Sequence, residues 1–415
     1  MEKKKPQIRF NGFEGEWVTT TLGDIAVRVV SKNDDNGVIL PLTISAQYGL
    51  ISQTEFFNSR IAAKDVRGYY VIKKGEFAYN RSTSEFSPFG AVKRLDRYDA
   101  GVLSTLYIVF RLSSEQIQSN YLVNYFSTSN WHQYIAENAA EGARNHGLLN
   151  ITAEDFLKTP IKAPIVPEEQ KKIASFLTTL DKLIAKLEAK LDKLRKLKQA
   201  LLEKMFINVN GGGYEAPQIR FKGYTDKWQV KGLREVAEFA KGKGYSKGDL
   251  TKEGIPIIRY GSLYTDYRTE IDSVSEYVQY SEGAIFSRGG EVIIPASGET
   301  SEDIARASAV KLPNVILGGD LNIIYPNAEI NAVFLATEIT YGKSHTYLAM
   351  KAQGASVVHL RKLDISSLSP KFPSISEQQQ IGKYFVQMDV QLSKASIKLT
   401  KLRNIKQSLL QKMFA

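Results

Sequence analysis

The stretch from Glu169 to Phe206 reads EQKKIASFLTTLDKLIAKLEAKLDKLRKLKQALLEKMF, and it recurs from Glu377 to Phe414 as EQQQIGKYFVQMDVQLSKASIKLTKLRNIKQSLLQKMF. The two copies align without gaps and are identical at 17 of 38 positions. Starting at Ile173 and at Ile381, apolar residues recur at alternating intervals of four and three residues. This spacing is typical of a helix that packs along a narrow seam. We therefore predict two helices, each about 57 Å long.

Each of these helices would expose an apolar stripe if it stood alone. One interpretation is that they are core helices of two separate domains. We favour pairing of the two helices with each other, as a pseudo-twofold antiparallel coiled coil, because the stripes are long, narrow and matched. One seam position holds a lysine in both copies, Lys198 and Lys406, and a polar residue there can fix the helix register. Alternatively, Leu197 and Ile405 turn inward and the lysines reach out to solvent.

A second, shorter repeat precedes each long variable region. Pro6–Phe10 recurs as Pro217–Phe221, and nine of the 21 aligned positions that start there are identical. The order is therefore short motif, variable block and helix, and then the same three again. We predict an α+β fold with a strand-rich domain over residues 1–160, a central helix and glycine linker over 161–210, a second strand-rich domain over 211–370, and a C-terminal helix over 371–415.

The variable blocks, roughly residues 27–160 and 238–368, show little similarity to each other. Short apolar runs bounded by turn residues predict strands in both blocks. Longer stretches with apolar residues at helical spacing predict one helix in each block, over 117–135 and 332–352. The predicted strands cover residues 69–72, 76–79, 106–110, 255–260, 284–286, 291–294 and 321–325.

Composition excludes several classes of protein. The chain has 415 residues, which suggests two or three domains, and no cysteine, which rules out disulfides, thiolate metal sites and cysteine nucleophiles. No apolar run approaches the length of a membrane span, and the N-terminus lacks the apolar segment of a secretory signal. We therefore expect a soluble intracellular protein that does not bind membranes.

Catalytic signatures are also missing. The sequence contains no complete phosphate-binding loop, no paired-histidine zinc motif, no nucleophile elbow and no methyltransferase motif for holding a flipped adenine. The four histidines are scattered without the spacing of metal ligands. We predict a non-catalytic chain without a metal or a cofactor of its own, although an active site without a recognisable motif remains an alternative.

The net charge of +11 points to an anionic partner such as nucleic acid, but the two long helices carry most of it. Loops in the variable blocks carry residues suited to phosphates and base edges, since arginine grips guanine and lysine or serine holds phosphate. Each such residue could instead be an ordinary solvated loop residue, and the glycine–lysine loop at 241–247 is the strongest candidate. The candidate DNA-binding residues are Asn80, Arg81, Ser82, Lys93, Arg94, Arg144, Asn145, Lys241, Lys243, Tyr245, Ser246, Lys247, Arg259, Tyr260, Arg288 and Arg306.

The arrangement resembles the specificity subunit of type I restriction–modification systems. The resemblance rests on the Glu-Gln helix starts at 169 and 377, on Asp181 and Asp389, on the Lys-Met-Phe helix ends, and on the repeated Gly/Trp/Leu segment before each block. Within the blocks, residues 71–82 and 254–261 look like parts of target recognition domains. The resemblance covers nearly the whole chain. No single motif is specific, but their order and double occurrence are.

The family implies a function. Each block would read one half of a bipartite target in double-stranded DNA, and the helices would set the distance between the halves. Two modification (methyltransferase) subunits would dock on the chain and supply S-adenosylmethionine binding and adenine methylation. Two restriction (endonuclease and translocase) subunits would add ATP- and Mg-dependent chemistry. The implied location is the prokaryotic cytoplasm, and the implied role is host defence.

Two other readings fit the bare sequence. The chain could be a coiled-coil scaffold that presents two non-DNA binding modules, such as sugar or peptide binders, or a self-sufficient enzyme with an unrecognised site. The salt dependence of DNA binding separates the first of these from a DNA-recognition subunit.

Overall fold

The computed structural model describes residues 5–45, 48–85, 87–139, 147–206, 217–354 and 357–414. The chain divides into two units. The first unit comprises residues 1–186 and 399–415, and the second comprises residues 187–398. Each unit therefore contains one variable block, the first part of the long helix that follows this block, and the last part of the other long helix.

The two predicted long helices are confirmed. Helices α6 (Pro167–Met205) and α13 (Ile375–Met413) have 39 residues each. The helix ends carry favourable residues. The first turn of α6 contains a proline, both first turns contain acidic residues, and both last turns contain a lysine. Every predicted seam residue, including the two lysines, is buried or half-buried. Among the helices of the described residues, none is both long and apolar enough to cross a membrane.

Within each unit, the two helix segments run antiparallel. In the first unit, the backbone NH of Ile8 donates to the carbonyl of Lys412, and the ring of Phe10 packs on Phe176, so the end of α13 lies beside the start of α6. Further along, Lys406 pairs with Asp181. The second unit repeats these contacts with the backbone pair Ile219–Lys204, the ring pair Phe221–Tyr384 and the ion pair Lys198–Asp389.

The short repeated motif fastens to the start of each long helix. The guanidinium of Arg9 donates two hydrogen bonds, of 2.7 and 2.8 Å, to the fully buried carboxylate of Glu169. Arg220 binds Glu377 in the same two-bond manner, at 2.9 and 2.6 Å. Because a paired arginine and carboxylate fix both distance and orientation, these pairs explain why the motif and the helix start recur together.

The glutamine after each of these glutamates ties the helix to its variable block. The side-chain amide of Gln170 donates to the carbonyls of Gln116 and Pro164, and its oxygen accepts from the backbone NH of Gln118. Gln378 makes the same three bonds to the corresponding segments of the second block. Both glutamines are 1% exposed, so the three bonds satisfy the amide inside the protein.

The two variable blocks contain central sheets with the same strand order, although their sequences differ. The first sheet is ordered β2-β9-β6-β7, and the second β12-β21-β17-β19 with β15 added at its edge. The strands of the first sheet are β2 (Ala26–Val29), β6 (Phe77–Asn80), β7 (Ala91–Arg94) and β9 (Ile108–Leu112). Those of the second are β12 (Ala237–Lys241), β15 (Glu270–Ile271), β17 (Glu291–Pro295), β19 (Ser308–Val310) and β21 (Leu321–Pro326).

One face of each central sheet packs on helices, and an aromatic core fills the space between. In the first unit, Tyr79 stacks on Phe156 with ring centroids 4.3 Å apart. The single helices predicted over 117–135 and 332–352 are each two helices, because turns at residues 126–131 and at Gly342 interrupt them. The short helices are α1 (Leu22–Ile25), α3 (Ser119–Tyr125), α4 (His132–Asn138), α5 (Ala153–Leu157), α7 (Leu233–Val236), α10 (Ala332–Tyr341), α11 (Lys343–Lys351) and α12 (Lys362–Ser366).

The opposite face of each sheet carries an outer layer made only by the variable block, and separate apolar clusters lie under it. The strand predicted over 284–286 is wrong, since Phe286 forms only an isolated bridge with Ile316. The outer elements are β3 (Leu42–Ser45), β4 (Gly49–Ser52), α2 (Gln53–Phe57), β5 (Tyr70–Lys73) and β8 (Ala100–Leu103) in the first unit, and β13 (Leu250–Thr251), β14 (Ile255–Ile258), α8 (Ser262–Thr265), β16 (Tyr277–Val278) and β20 (Ile316–Leu317) in the second.

Short strand pairs complete both units. The remaining strands are β1 (Trp17–Thr21) with β10 (Pro160–Pro164), β11 (Gln229–Val230) with β23 (Lys371–Phe372), and β18 (Ser297–Gly298) with β22 (Val358–His359). The last helix is α9 (Ser301–Ile304), and a 3-10 turn covers Lys247–Asp249. The pairs β1–β10 and β11–β23 occupy equivalent places, directly before the short helices α1 and α7 and before the long helices.

Candidate nucleic-acid interface

The glycine–lysine loop at 241–247 lies in the outer part of the second unit and begins at Lys241, the last residue of β12. Its glycines serve a close crossing of two backbones. A Cβ added to Gly242 would lie 1.9 Å from the carbonyl oxygen of Gly318, and the NH of Gly319 donates to the carbonyl of Gly244 at 2.6 Å. Glycine in a loop can let a ligand such as DNA approach the backbone closely. In the structure, Gly242 is required by the neighbouring backbone itself.

The same loop presents three ammonium groups. Lys241, Lys243 and Lys247 are exposed, and none of them forms an ion pair with another described residue. Ser246 caps the following 3-10 turn, and hydrogen bonds from its backbone NH and its hydroxyl lower the pKa of Asp249. The glycine crossing and this cap hold the backbone of the loop, and the three exposed ammonium groups that it carries are suited to phosphates.

Two other candidates lie near this surface. Tyr245 adopts a left-handed backbone conformation with φ 59°, and its hydroxyl accepts a hydrogen bond from the NH of Ser281. Tyr260 follows β14 and is 38% exposed. The adjacent Ile258 carbonyl accepts from the NH of Gly318, so Tyr260 lies close to the strand that crosses the lysine loop. The outer layer of the second unit therefore combines cations with an exposed aromatic ring.

Four of the predicted arginines are held by partners within the protein. Arg81 donates to the carbonyls of Leu106 and Ile151, and Arg94 to Asp96 and Ser119. Arg259 binds Glu276 through two bonds of 2.8 and 2.6 Å, and Arg306 binds Asp303 at 2.9 Å. In this conformation these arginines brace loops, and each would have to exchange its present partners before it could read a base.

The remaining predicted residues differ in their surroundings. Arg288 is exposed and stacks on the ring of Tyr325 at 4.2 Å. Asn80 accepts a hydrogen bond from the NH of Ser82, which is itself exposed. Lys93 is half-buried on the edge strand β7, and burial lowers its pKa, as does the nearby ammonium of Lys406. Lys93 therefore faces the helices rather than the outer layer. Arg144 and Asn145 lie outside the described residues.

The two seam lysines form ion pairs with the other long helix. In the second unit, Lys198 is 9% exposed and lies 2.5 Å from Asp389, whose other oxygen accepts a hydrogen bond from the hydroxyl of Thr269 at 2.7 Å. The ring of Tyr341 lies 5.2 Å from the ammonium. Because Thr269 and Tyr341 belong to the variable block, this ion pair joins both helices to that block.

The first unit has the same ion pair between Lys406 and Asp181. The alternative in which Leu197 and Ile405 turn inward is wrong, since these side chains are 45% and 41% exposed. The sequence indicated the lysines but gave no means of pairing them with their aspartates, because Lys198 and Asp389 are 191 residues apart. That these pairs fix the register stays a prediction.

One exposed feature was missed by the sequence reasoning. Phe56 and Phe57 on α2, in the outer layer of the first unit, are 41% and 42% exposed, and their ring centroids are 4.7 Å apart. The available signal was two adjacent aromatic residues in an otherwise polar segment, Gln53–Arg60.

The described residues show no group of three or more histidine or acidic side chains placed to hold a metal ion. The largest perturbation of a carboxyl pKa lies in the second unit, where burial raises the pKa of Glu338 to about 7. Glu338 borders a cleft of about 610 Å³, beside Trp228 and Lys343. One oxygen accepts from the NH of Ser344, and the other is buried without a hydrogen-bond partner.

The short motif and the long helix form a frame that occurs twice, and each copy of the frame carries an equivalent sheet with a different outer layer. Residues 14–196 and 225–402 match the family described as "Type I restriction modification DNA specificity domain", so the chain belongs to this family of specificity subunits.

Two curated relatives come from Methanocaldococcus jannaschii. The type I restriction enzyme MjaVIII specificity subunit is 22% identical over 60% of this chain and 55% of its own length. The putative type I restriction enzyme MjaX specificity subunit is 24% identical over 65% of this chain and 60% of its own length. The matched region thus spans a little over half of each relative.

Among solved structures, the S subunit of a type I restriction–modification system from M. genitalium superimposes with a TM-score of 0.62. It covers 99% of both chains at 15% sequence identity. At that identity the likeness concerns the fold, and it confirms the predicted α+β architecture with two long helices.

Proposed function

We propose that this chain is the DNA sequence-recognition subunit of a type I restriction–modification complex, and that each variable block reads one half of a bipartite target. The observation that carries the proposal is the combination of one frame used twice with two different outer layers. The two central sheets share a strand order, whereas the surfaces built on them differ in cations and aromatic residues. Two equivalent supports with unlike surfaces suit the reading of two unlike half-sites.

The long helices act as a spacer. Major-groove positions on one face of a duplex recur about every 34 Å, and a helix of 39 residues is about 58 Å long, enough to hold two readers about one helical turn apart. Deleting one heptad from α6 and one from α13 removes about 10 Å. This change should shift the preferred gap between half-sites by about 3 bp or abolish binding. Modification assays on targets with altered spacers test the idea, and an unchanged preference contradicts it.

The chemistry belongs to partner subunits. The duplicated frame offers equivalent surfaces, which suits two copies of a modification subunit that bind S-adenosylmethionine and methylate adenine. Two restriction subunits would add ATP- and Mg-dependent cleavage. This chain would contribute no catalytic group and no cofactor. It would work in the cytoplasm of a prokaryotic cell, where its DNA target lies.

The test is to co-express the chain with its modification subunit and to map methylated adenines across the host genome. The proposal predicts a single split motif, with two short defined halves around a fixed gap. A well-assembled complex that methylates no such motif would contradict it and would favour a scaffold for two non-DNA modules. DNA binding that falls steeply as salt rises supports the proposal, since phosphate contacts release counterions.

A further inference from the structure

Helix α2 presents two neighbouring phenylalanines to solvent. Phe56 and Phe57 meet edge to face, with an interplanar angle of 82°, and each exposes more than two fifths of its surface. Ile61, a few residues further on, is 63% exposed. Large apolar side chains exposed together mark interaction sites more often than ordinary surface. We call Phe56, Phe57 and Ile61 the apolar tip.

The apolar tip is held in place by polar contacts on its protein side. The side chain of Gln53, at the start of α2, donates to the carbonyl of Leu42 at 3.3 Å and accepts from the NH of Ala62 at 2.8 Å. The hydroxyl of Tyr98 donates to Glu55 at 3.0 Å. The two aromatic rings therefore project from a braced helix, so little conformational freedom is lost when they bind.

The segment that contains the tip carries a net positive charge. From Gln53 to Gly75 there are five lysines and arginines and two acidic residues, and Arg67 and Lys74 form ion pairs. The guanidinium of Arg60 donates to the backbone carbonyls of Ala62, Ala63 and Lys64, so its charge is not neutralised by a carboxylate. Lys64 is exposed and forms no ion pair with another described residue. Such a surface fits a polyanion better than it fits a typical protein partner.

We propose that Phe56 and Phe57 make the apolar contacts with the bases of the first half-site, while Arg60 and Lys64 bind the flanking phosphates. The inference rests on the proposed function and names the residues that carry it out in the first unit. Aromatic side chains can pack on thymine methyl groups or insert between base steps. The second unit also exposes both kinds of side chain, since Tyr260 is 38% exposed and the loop at 241–247 carries three exposed lysines.

The test uses the complex of this chain with its modification subunit and a duplex that carries the motif found by methylation mapping. Phe56→Ala/Phe57→Ala should weaken binding of this duplex about 10-fold or more, because an aromatic contact with a base contributes about 1–3 kcal/mol. The salt dependence of duplex binding by this variant should match that of the wild type, since no charge is removed. Arg60→Gln/Lys64→Gln should instead reduce the slope of log K against log salt by about 2.

A matched control is Ile39→Ala, which removes an apolar side chain 67% exposed in the same unit and should change neither quantity. Affinity for a duplex without the motif should be the same for the wild type and the phenylalanine variant. The inference would be overturned if the wild type and the phenylalanine variant bound the motif with equal affinity. It would also be overturned if the variant lost the same affinity for the duplex without the motif as for the duplex that carries it. Should the double variant fail to assemble, Phe56→Ala alone carries the same test. A wild-type complex without any specific motif would instead refute the proposed function.

Discussion

Removing the ammonium of Lys198 should destabilise the second unit more than an ordinary surface substitution does. Lys198→Met keeps the length of the side chain but leaves Asp389 with Thr269 as its remaining partner. The side chains of Lys198 and Asp389 are 11% and 26% exposed. Breaking a fully buried pair costs about 3–5 kcal/mol, and an exposed pair contributes at most about 1 kcal/mol. For this partly buried pair we expect a loss of about 2 kcal/mol.

The equivalent substitution in the first unit provides an internal comparison. Lys406 and Asp181 are 22% and 47% exposed, so solvent screens their interaction more and Lys406→Met should cost about 1 kcal/mol or less. Removing both partners, as in Lys198→Met/Asp389→Leu, should restore much of the lost stability because no unpaired charge remains. Leu197→Met, at a side chain 45% exposed, is the matched control and should have little effect.

Urea unfolding of the full chain, followed by tryptophan fluorescence, measures these differences. The chain has three tryptophans, and Trp17, Trp131 and Trp228 are all buried, so each reports on the unfolding of its unit. A double-mutant cycle for Lys198 and Asp389 should give a coupling free energy of about 1–3 kcal/mol. If the two substitutions are additive, or if Lys198→Met matches Leu197→Met, then the pair does not stabilise the helices and the reasoning is refuted.

Three further outcomes follow from the second unit. Burial raises the pKa of Glu338 to about 7, so the folded state holds this proton more tightly than the unfolded chain does, and stability is lost as pH rises from about 4.5 to about 7. Glu338→Gln should therefore stabilise the chain at pH 8 by up to about 3 kcal/mol and have little effect near pH 4.5, measured by urea unfolding at both pH values; equal effects would contradict this. Arg220→Met leaves the carboxylate of Glu377 without its arginine. This carboxylate exposes only 1% of its surface, so the substitution should lower the free energy of unfolding by about 3 kcal/mol. A loss below about 1 kcal/mol in the same assay would show that the pair does not fasten the motif. Replacing Lys241, Lys243 and Lys247 by glutamine should lower the slope of log K against log salt by up to about 3 in DNA binding, whereas an unchanged slope would remove this loop from the interface.

The long helices could be predicted from sequence because their signal is local and repeated. A seam of period 3.5 over 38 residues, present twice, leaves few other structures. The function of the short repeated motif could not be predicted in the same way. Arg9 and Glu169 are separated by 160 residues, and nothing in the sequence indicates that they form a pair.

The common architecture of the two variable blocks was hidden for another reason. A buried strand accepts many apolar sequences, so β6 and β17 fulfil the same role with Phe-Ala-Tyr-Asn and Glu-Val-Ile-Ile-Pro. Sheet order depends on pairing between distant strands, which the alternation of residues within one strand does not specify. The split of the helix predicted over 332–352 is a different case, since Gly342 was a recognisable break within an otherwise helical apolar pattern.

The candidate site was the least predictable part. Residue type indicated which side chains can touch DNA, but not which are already occupied. Arg259 has the chemistry of a guanine reader, yet Glu276 holds it in the folded protein. The exposed pair Phe56–Phe57 was overlooked because aromatic residues in a strand-rich block are usually assigned to the core.

The central claim is that each variable block reads its own half of the target. The most direct measurement is a methylation map made with a chain in which the block between β1 and β10 is exchanged with the block between β11 and β23, while the repeated motifs and both long helices stay in place. The account predicts that the exchanged chain assembles with the modification subunit and methylates a motif with its two halves in swapped order around the same gap. An exchanged chain that assembles and keeps the original motif would contradict it.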